Sequence, residues 1–195
     1  MLSVDRVGLM IEQIYIFAIG IAIVAIVVVS IATFFYLTKY VSIPVIDIAA
    51  SSAQWKIINY RRVSKDHISD DNYFIVKVDG DSMSGDGINI GDDALIRRAA
   101  FASRGDIAVT LINASGSDRI VSLRRYFVIE QLDNSYWFLE ASNPKSKHLV
   151  VIPQGSNINE IRQQYERLIK NEEVVFYEDA ELTVAGIFVK VLEDS

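Results

Sequence analysis

The chain predicts a mostly β domain carried behind one N-terminal apolar helix, and three features of its 195 residues point there. An uncharged run from Ile14 to Leu37 holds most of the excess apolar content of a chain that is 51% hydrophobic. From Tyr73 onward, short alternating apolar runs are separated by turns rich in Gly, Asn and Asp, the pattern of β-strands. Only one later segment, Asn157 to Lys170, has helical spacing, with Ile158, Ile161, Tyr165, Leu168 and Ile169 on one side. The regular strand spacing predicts a coiled, barrel-like sheet.

The N-terminal elements come first. Residues 1–13 form a short tail that carries Asp5, Arg6 and Glu12, which does not match the basic start of a cleaved signal peptide. Residues 14–37 follow as a transmembrane helix. At ~1.5 Å per residue the helix is roughly 36 Å long, enough for a hydrocarbon core of ~30 Å with some tilt. Tyr15, Phe34, Phe35, Tyr36 and Tyr40 lie near its ends, where aromatic rings favour the interface. The lipid bilayer is therefore the partner expected for residues 14–37. Ala18, Gly20 and Ala22 give a small-residue spacing compatible with a homodimer through this helix. Arg6 precedes the helix, whereas Lys39, Lys56, Arg61, Arg62 and Lys65 follow it, so the positive-inside bias places the C-terminal domain of a single-pass membrane protein in the cytoplasm.

Residues 38–72 read as a connector and 73–195 as the folded domain. Its strands are expected at Tyr73–Val78, Ala94–Ile96, Asp106–Ile112, Arg119–Val128, Tyr136–Glu140, Leu149–Ile152 and Glu181–Leu192, the last with a bulge at Gly186. With no cysteine the chain has no disulfide framework. A net charge of −6 without a basic tract argues against a nucleic-acid partner. No phosphate-binding loop, dinucleotide fingerprint or His–Glu zinc pattern is present. Asp79, Asp81, Asp86, Asp92 and Asp93 cluster without the alternation a calcium loop needs, and read as a solvated turn. Neither a metal nor a cofactor is expected.

The chemistry-bearing stretch is Val78-Asp-Gly80-Asp-Ser82-Met83. A strand runs into a Gly turn and a serine follows at once, which lifts one hydroxyl out of a rigid sheet. Beside a suitable base, such a hydroxyl can attack a carbonyl. With Gly87-Ile88, Gly91-Asp92, Arg104-Gly105-Asp106, Val121-Ser-Leu-Arg124-Arg125, Leu139-Glu-Ala-Ser-Asn143-Pro144 and Val184-Ala-Gly186, this box resembles the LexA-like repressor peptidases, Ser–Lys autoproteases, from about Pro44 to Leu192. The resemblance implies that Ser82 stands at the nucleophile position and that Gly80 and Met83 shape the turn whose backbone amides form an oxyanion hole. It implies a self-cleavage segment before the domain, with Ala50–Ser51 in the corresponding place. It also implies a cleft that takes the chain's own connector or another peptide. The family's DNA-binding helices have no counterpart here. Signal peptidases share the Ser–Lys logic and an N-terminal anchor, so a signal-peptidase-like membrane protease is a further reading, although the Asn143-Pro144 turn and the short chain fit it less well.

One position departs from the family. Arg124 stands where the dyad lysine is expected. A buried lysine can lose its proton, whereas a guanidinium remains charged in proteins and is a very poor proton acceptor. Arg125 is no better. Lys77 falls on a strand position pointing away from Phe74, Val76 and Val78, and His67 and His148 read as solvated loop histidines. The sequence thus leaves two functions open: a serine peptidase cutting Ala50–Ser51 in its own chain, or a catalytically degenerate regulatory module that retains the peptide cleft.

Overall fold

The structure is a computed structural model, and it describes residues 4–47, 56–68, 70–115, 119–131 and 134–193. Ala50 and Ser51 lie outside the described residues. The chain divides into two compact units. One contains the helix α1 (Val4–Lys39) and the stretch from Arg62 to the 3-10 turn Lys65–His67; the other contains Ile43–Arg61 and everything from Asp70 onward.

The helix α1 is long and apolar enough to cross a membrane, and none of its apolar span is buried against the protein. Its hydroxyl residues satisfy themselves: Ser30 and Thr33 each donate to the carbonyl four residues back, at 2.8 Å. That back-bonding lets a polar side chain sit in an apolar helix without an external partner.

The strands are β1 (Tyr40–Asp47), β2 (Lys56–Ser64), β3 (Tyr73–Lys77), β4 (Asp93–Arg98), β5 (Ile107–Ala114), β6 (Ile120–Gln131), β7 (Asn134–Glu140), β8 (His148–Val151), β9 (Val174–Tyr177) and β10 (Ala180–Leu192). They form one sheet in the order β2-β1-β3-β4-β10-β5-β6-β7-β8-β9. The sheet coils back on itself. Strands β10 and β8 are four places apart in that order, a separation of ~19 Å in a flat sheet. Yet Ala180 and Val184 of β10 share a core with Leu149 and Val151 of β8. The amide of Ala180 also donates to Ile152 O at 3.0 Å, tying the ends of the two strands together. The coiled, barrel-like β architecture read from strand spacing is the one observed.

Gly186 is a close-approach position. A Cβ there would lie 2.5 Å from Ile96 Cγ2 and 2.7 Å from the Arg97 carbonyl oxygen, so only glycine lets β10 pass β4. The register slips between Val184 and Gly186 where β10 pairs with β5, which is the expected bulge.

Four details differ from the sequence reading. The helix α1 begins at Val4, so most of the stretch 1–13 read as a tail belongs to it. The stretch read as a connector carries β1 and β2, and β1 pairs in parallel with β3 through Val45↔Ile75 and Ile46↔Val76. Strand β9 was not expected, because Val174-Val-Phe-Tyr177 is a short continuous apolar run with no alternation to mark it. The single helix expected over Asn157–Lys170 is two, α2 (Ile158–Gln164) and α3 (Glu166–Lys170), separated at Tyr165. There tertiary packing overrides the helical spacing. The Tyr165 ring stacks on Phe138 at 5.6 Å and its hydroxyl lies 3.2 Å from that of Tyr136, while burial pushes its pKa upward. Ile161 is fully buried under this cluster, whereas Ile169 at the far end is exposed.

Candidate functional site

The loop between β3 and β4 positions Ser82. Its neck is closed by two backbone bonds, Val78 N–H to Asp92 O at 2.9 Å and Gly91 N–H to Val78 O at 2.8 Å. Inside the loop, Met83 and Ile88 are each 1% exposed and join the core formed by Phe74, Val76, Ala94 and Ile96. Two buried side chains therefore pin the turn on either side of the 3-10 stretch Ser84–Asp86. Gly87 and Gly91 take φ of 78° and 92°, the left-handed conformations that let the chain reverse so tightly. Asp79, Asp86 and Asp92 surround the turn as exposed or half-buried side chains, and no group of acidic or imidazole ligands suited to a metal occurs among the described residues.

A second turn, 141–147, grips this loop from outside. Asn143, 8% exposed, donates from its backbone amide to Ser82 O at 3.1 Å and from Nδ2 to Asp81 O at 3.2 Å. Ser146 Oγ donates to Asp81 Oδ1 at 3.0 Å, and the Asp86 amide donates to Ser142 Oγ at 3.1 Å. Gly85 packs so closely that a Cβ would collide with the Ser142 carbonyl. The amides of Gly80, Asp81, Ser82 and Met83 have no intramolecular partner among the described residues. Four N–H donors in a row beside a hydroxyl are an arrangement that can receive negative charge.

Ser82 and Arg124 line one cleft of about 410 Å³, together with Val78, Val121, Ser122 and Lys147. Among the described residues the half-buried Ser82 hydroxyl has one partner, the Leu123 carbonyl at 3.4 Å, so its oxygen lies next to the backbone of Arg124. The Arg124 side chain donates from Nη1 to Lys147 O and makes no ion pair among the described residues. Desolvation lowers its pKa from the ordinary arginine value, partly offset by Tyr177 and by Asp81. A guanidinium so placed stays protonated, because arginine starts some five to seven units above neutral pH.

The remaining candidates separate clearly. Arg125 occupies the next position on β6 and is structural: Nη2 reaches Asp86 Oδ1 at 2.7 Å, Nη1 the Gly105 carbonyl at 3.1 Å, and Nε lies 3.6 Å from Glu140. Lys77 is exposed at the cleft's edge and its ammonium is held by Asp93 at 3.1 Å. His67 is exposed in the unit that contains α1. His148 corrects the sequence reading, since it is not a solvated loop residue. It opens β8, packs on Phe138 at 5.3 Å and accepts the Ala141 amide on Nδ1 at 3.1 Å. Burial pushes its pKa down, with Glu140 and Glu173 opposing and Arg124 adding to that shift.

Sequence reasoning missed Ser122, Ser146 and Lys147 as residues of the site. Ser122 was visible only as one letter in a strand, and the other two sit in a polar turn with no periodicity. Ser122 Oγ is buried and has no hydrogen-bond partner among the described residues.

Residues 44–162 match the protein family described as Peptidase S24-like. Over 94 residues the chain is 38% identical to the LexA repressor of Syntrophomonas wolfei subsp. wolfei (strain DSM 2245B / Goettingen), an alignment covering 46% of this chain and 44% of the repressor. The chain thus spans less than half the length of that relative.

Proposed function

This chain belongs to the peptidase S24-like family, and from that premise we propose that it is a membrane-anchored, LexA-like domain whose cleft holds a peptide without hydrolysing it. The observation that carries this reading is the pairing of an intact serine loop with a cation. Among the described residues Ser82 finds only a carbonyl oxygen, the guanidinium of Arg124 is directed to Lys147 O, and His148 is engaged by the Ala141 amide. General-base activation needs a group that can accept the serine proton near neutral pH, and none of these does so. In this reading α1 anchors the domain in the bilayer, with the domain on the cytoplasmic side.

Self-cleavage at Ala50–Ser51 is the second reading, and one feature favours it. Because β1 runs parallel to β3 with Ile46 beside Val76, the chain leaves β1 heading the same way as the strand that leads to Ser82. Tethering of this kind supplies a high effective molarity even to a poor site.

The full-length chain in detergent micelles, incubated between pH 7 and 10 and followed by intact mass, distinguishes the two. The unaltered protein is expected to stay whole. Arg124→Lys is expected to release a fragment beginning at Ser51, faster as pH rises and the lysine loses its proton, and the added change Ser82→Ala is expected to stop it. Ser82-dependent cleavage of the unaltered chain would overturn the non-hydrolytic reading.

A further inference from the structure

Three groups in the cleft are left without a partner of the kind their chemistry asks for. Arg124 has five N–H donors and a full positive charge, yet its side chain bonds a neutral carbonyl. The amides of Gly80 to Met83 point to no acceptor among the described residues. Ser122, 7% exposed, is among the residues lining the same cleft, and its hydroxyl has no hydrogen-bond partner among the described residues. A buried hydroxyl without a partner and a half-buried cation without an anion are both unfavourable alone. A single ligand carrying a carboxylate relieves both.

We propose that the cleft recognises the C-terminal carboxylate of a peptide ending in a small or apolar residue, with Arg124 and the free amides around Ser82 as the anion receptor. The proposal rests on the reading that this cleft holds a peptide, and it names the end by which the peptide is held. Guanidinium and carboxylate match in a two-point geometry that lysine does not provide. Val78, Val109 and Val121 are also among the residues that line this cleft. A chain terminus presents a carboxylate and an apolar side chain on one residue, whereas an internal Asp or Glu presents the charge without the apolar group. Lys147 adds a second cation to the lining. Asp81 works against the ligand, since its carboxylate lines the cleft and acts electrostatically on Arg124. Its acceptor role toward Ser146 would survive in an asparagine.

The test is calorimetric titration of the full chain in micelles with N-acetyl-Ile-Ala-Ala, the sequence of residues 48–50, and with the same peptide closed by a C-terminal amide. The free acid is expected to bind at least about tenfold more tightly than the amide, because amidation removes the charge that strengthens the hydrogen bonds to Arg124. Arg124→Gln is expected to bring the two affinities together, and Asp81→Asn to widen their separation. Equal binding of acid and amide to the unaltered chain overturns carboxylate recognition while leaving the peptide cleft standing. Binding of neither overturns both. A preference for the acid accompanied by Ser82-dependent cleavage of the chain overturns the non-hydrolytic reading alone.

Discussion

On one wall of the cleft, the Ser82 loop is held by two buried side chains, a closed neck and four hydrogen bonds to the 141–147 turn. On the other wall, Arg124 rests on a single hydrogen bond to a carbonyl and has no ion pair among the described residues. The first wall is what a fold needs in order to present a hydroxyl at one fixed point. The second carries a guanidinium, a very poor proton acceptor near neutral pH. Positioning and proton transfer are therefore separable in this architecture: many weak interactions spread over two loops supply the first, and the second depends on a single side chain.

The largest effect should come from the tightest point of the first wall. Gly85→Val places atoms where the Ser142 backbone already is, and overpacking of this kind costs typically about 1–3 kcal/mol. A stability lowered by about that much in denaturant titration, with the Ser82 loop detached from the 141–147 turn, is the expected result; an unchanged midpoint would show that the grip is loose. The second wall should respond in the opposite direction. Arg124→Met removes a partly desolvated charge and keeps a long apolar stem, so stability should rise by about 1 kcal/mol. A fall in stability there would mean that the guanidinium supports the fold, and the contrast between the walls would weaken.

The smallest effect is a pH slope where the walls meet. His148 holds the Ala141 amide at the start of the gripping turn, facing Glu140, Glu173, Arg124 and the Phe138 ring. Its folded pKa lies below the unfolded value of about 6.5. The unfolded chain therefore takes up the proton first on acidification. The stability this residue contributes is complete above about pH 6.5 and declines as pH falls from there through the lower folded value. Urea midpoints measured downward from neutral pH should show that decline, and His148→Gln should flatten it. A slope unchanged in the variant would assign the acid sensitivity to another group.

How legible each part was follows from the range of the interactions behind it. The uncharged run of α1, the alternating β3 and β10, the glycine at 186 and the Ser82 turn are written in local pattern, and each was read correctly from neighbouring letters. The arginine at 124 was equally legible, because its position is fixed by a strand that copies a known sequence of landmarks. The break at Tyr165 was hidden because the helical spacing continues through it, and it coincides with contacts to Tyr136, Phe138 and Phe176 from other parts of the chain. Strand β9 was hidden because a short parallel strand has no pattern of its own and takes its register from β8.

By itself the sequence determined the class of the domain, the presence of an apolar helix long enough for a bilayer, and the chemical identity of the two residues that line the cleft at 82 and 124. Tertiary structure alone decided that Asn143, Ser142 and Ser146 grip the serine loop, that His148 is half-buried against Phe138 and bonded to the Ala141 amide, and that Arg124 has no carboxylate partner among the described residues. Composition and periodicity record what each residue prefers, whereas burial and pairing depend on which distant residues the coiled sheet brings against it.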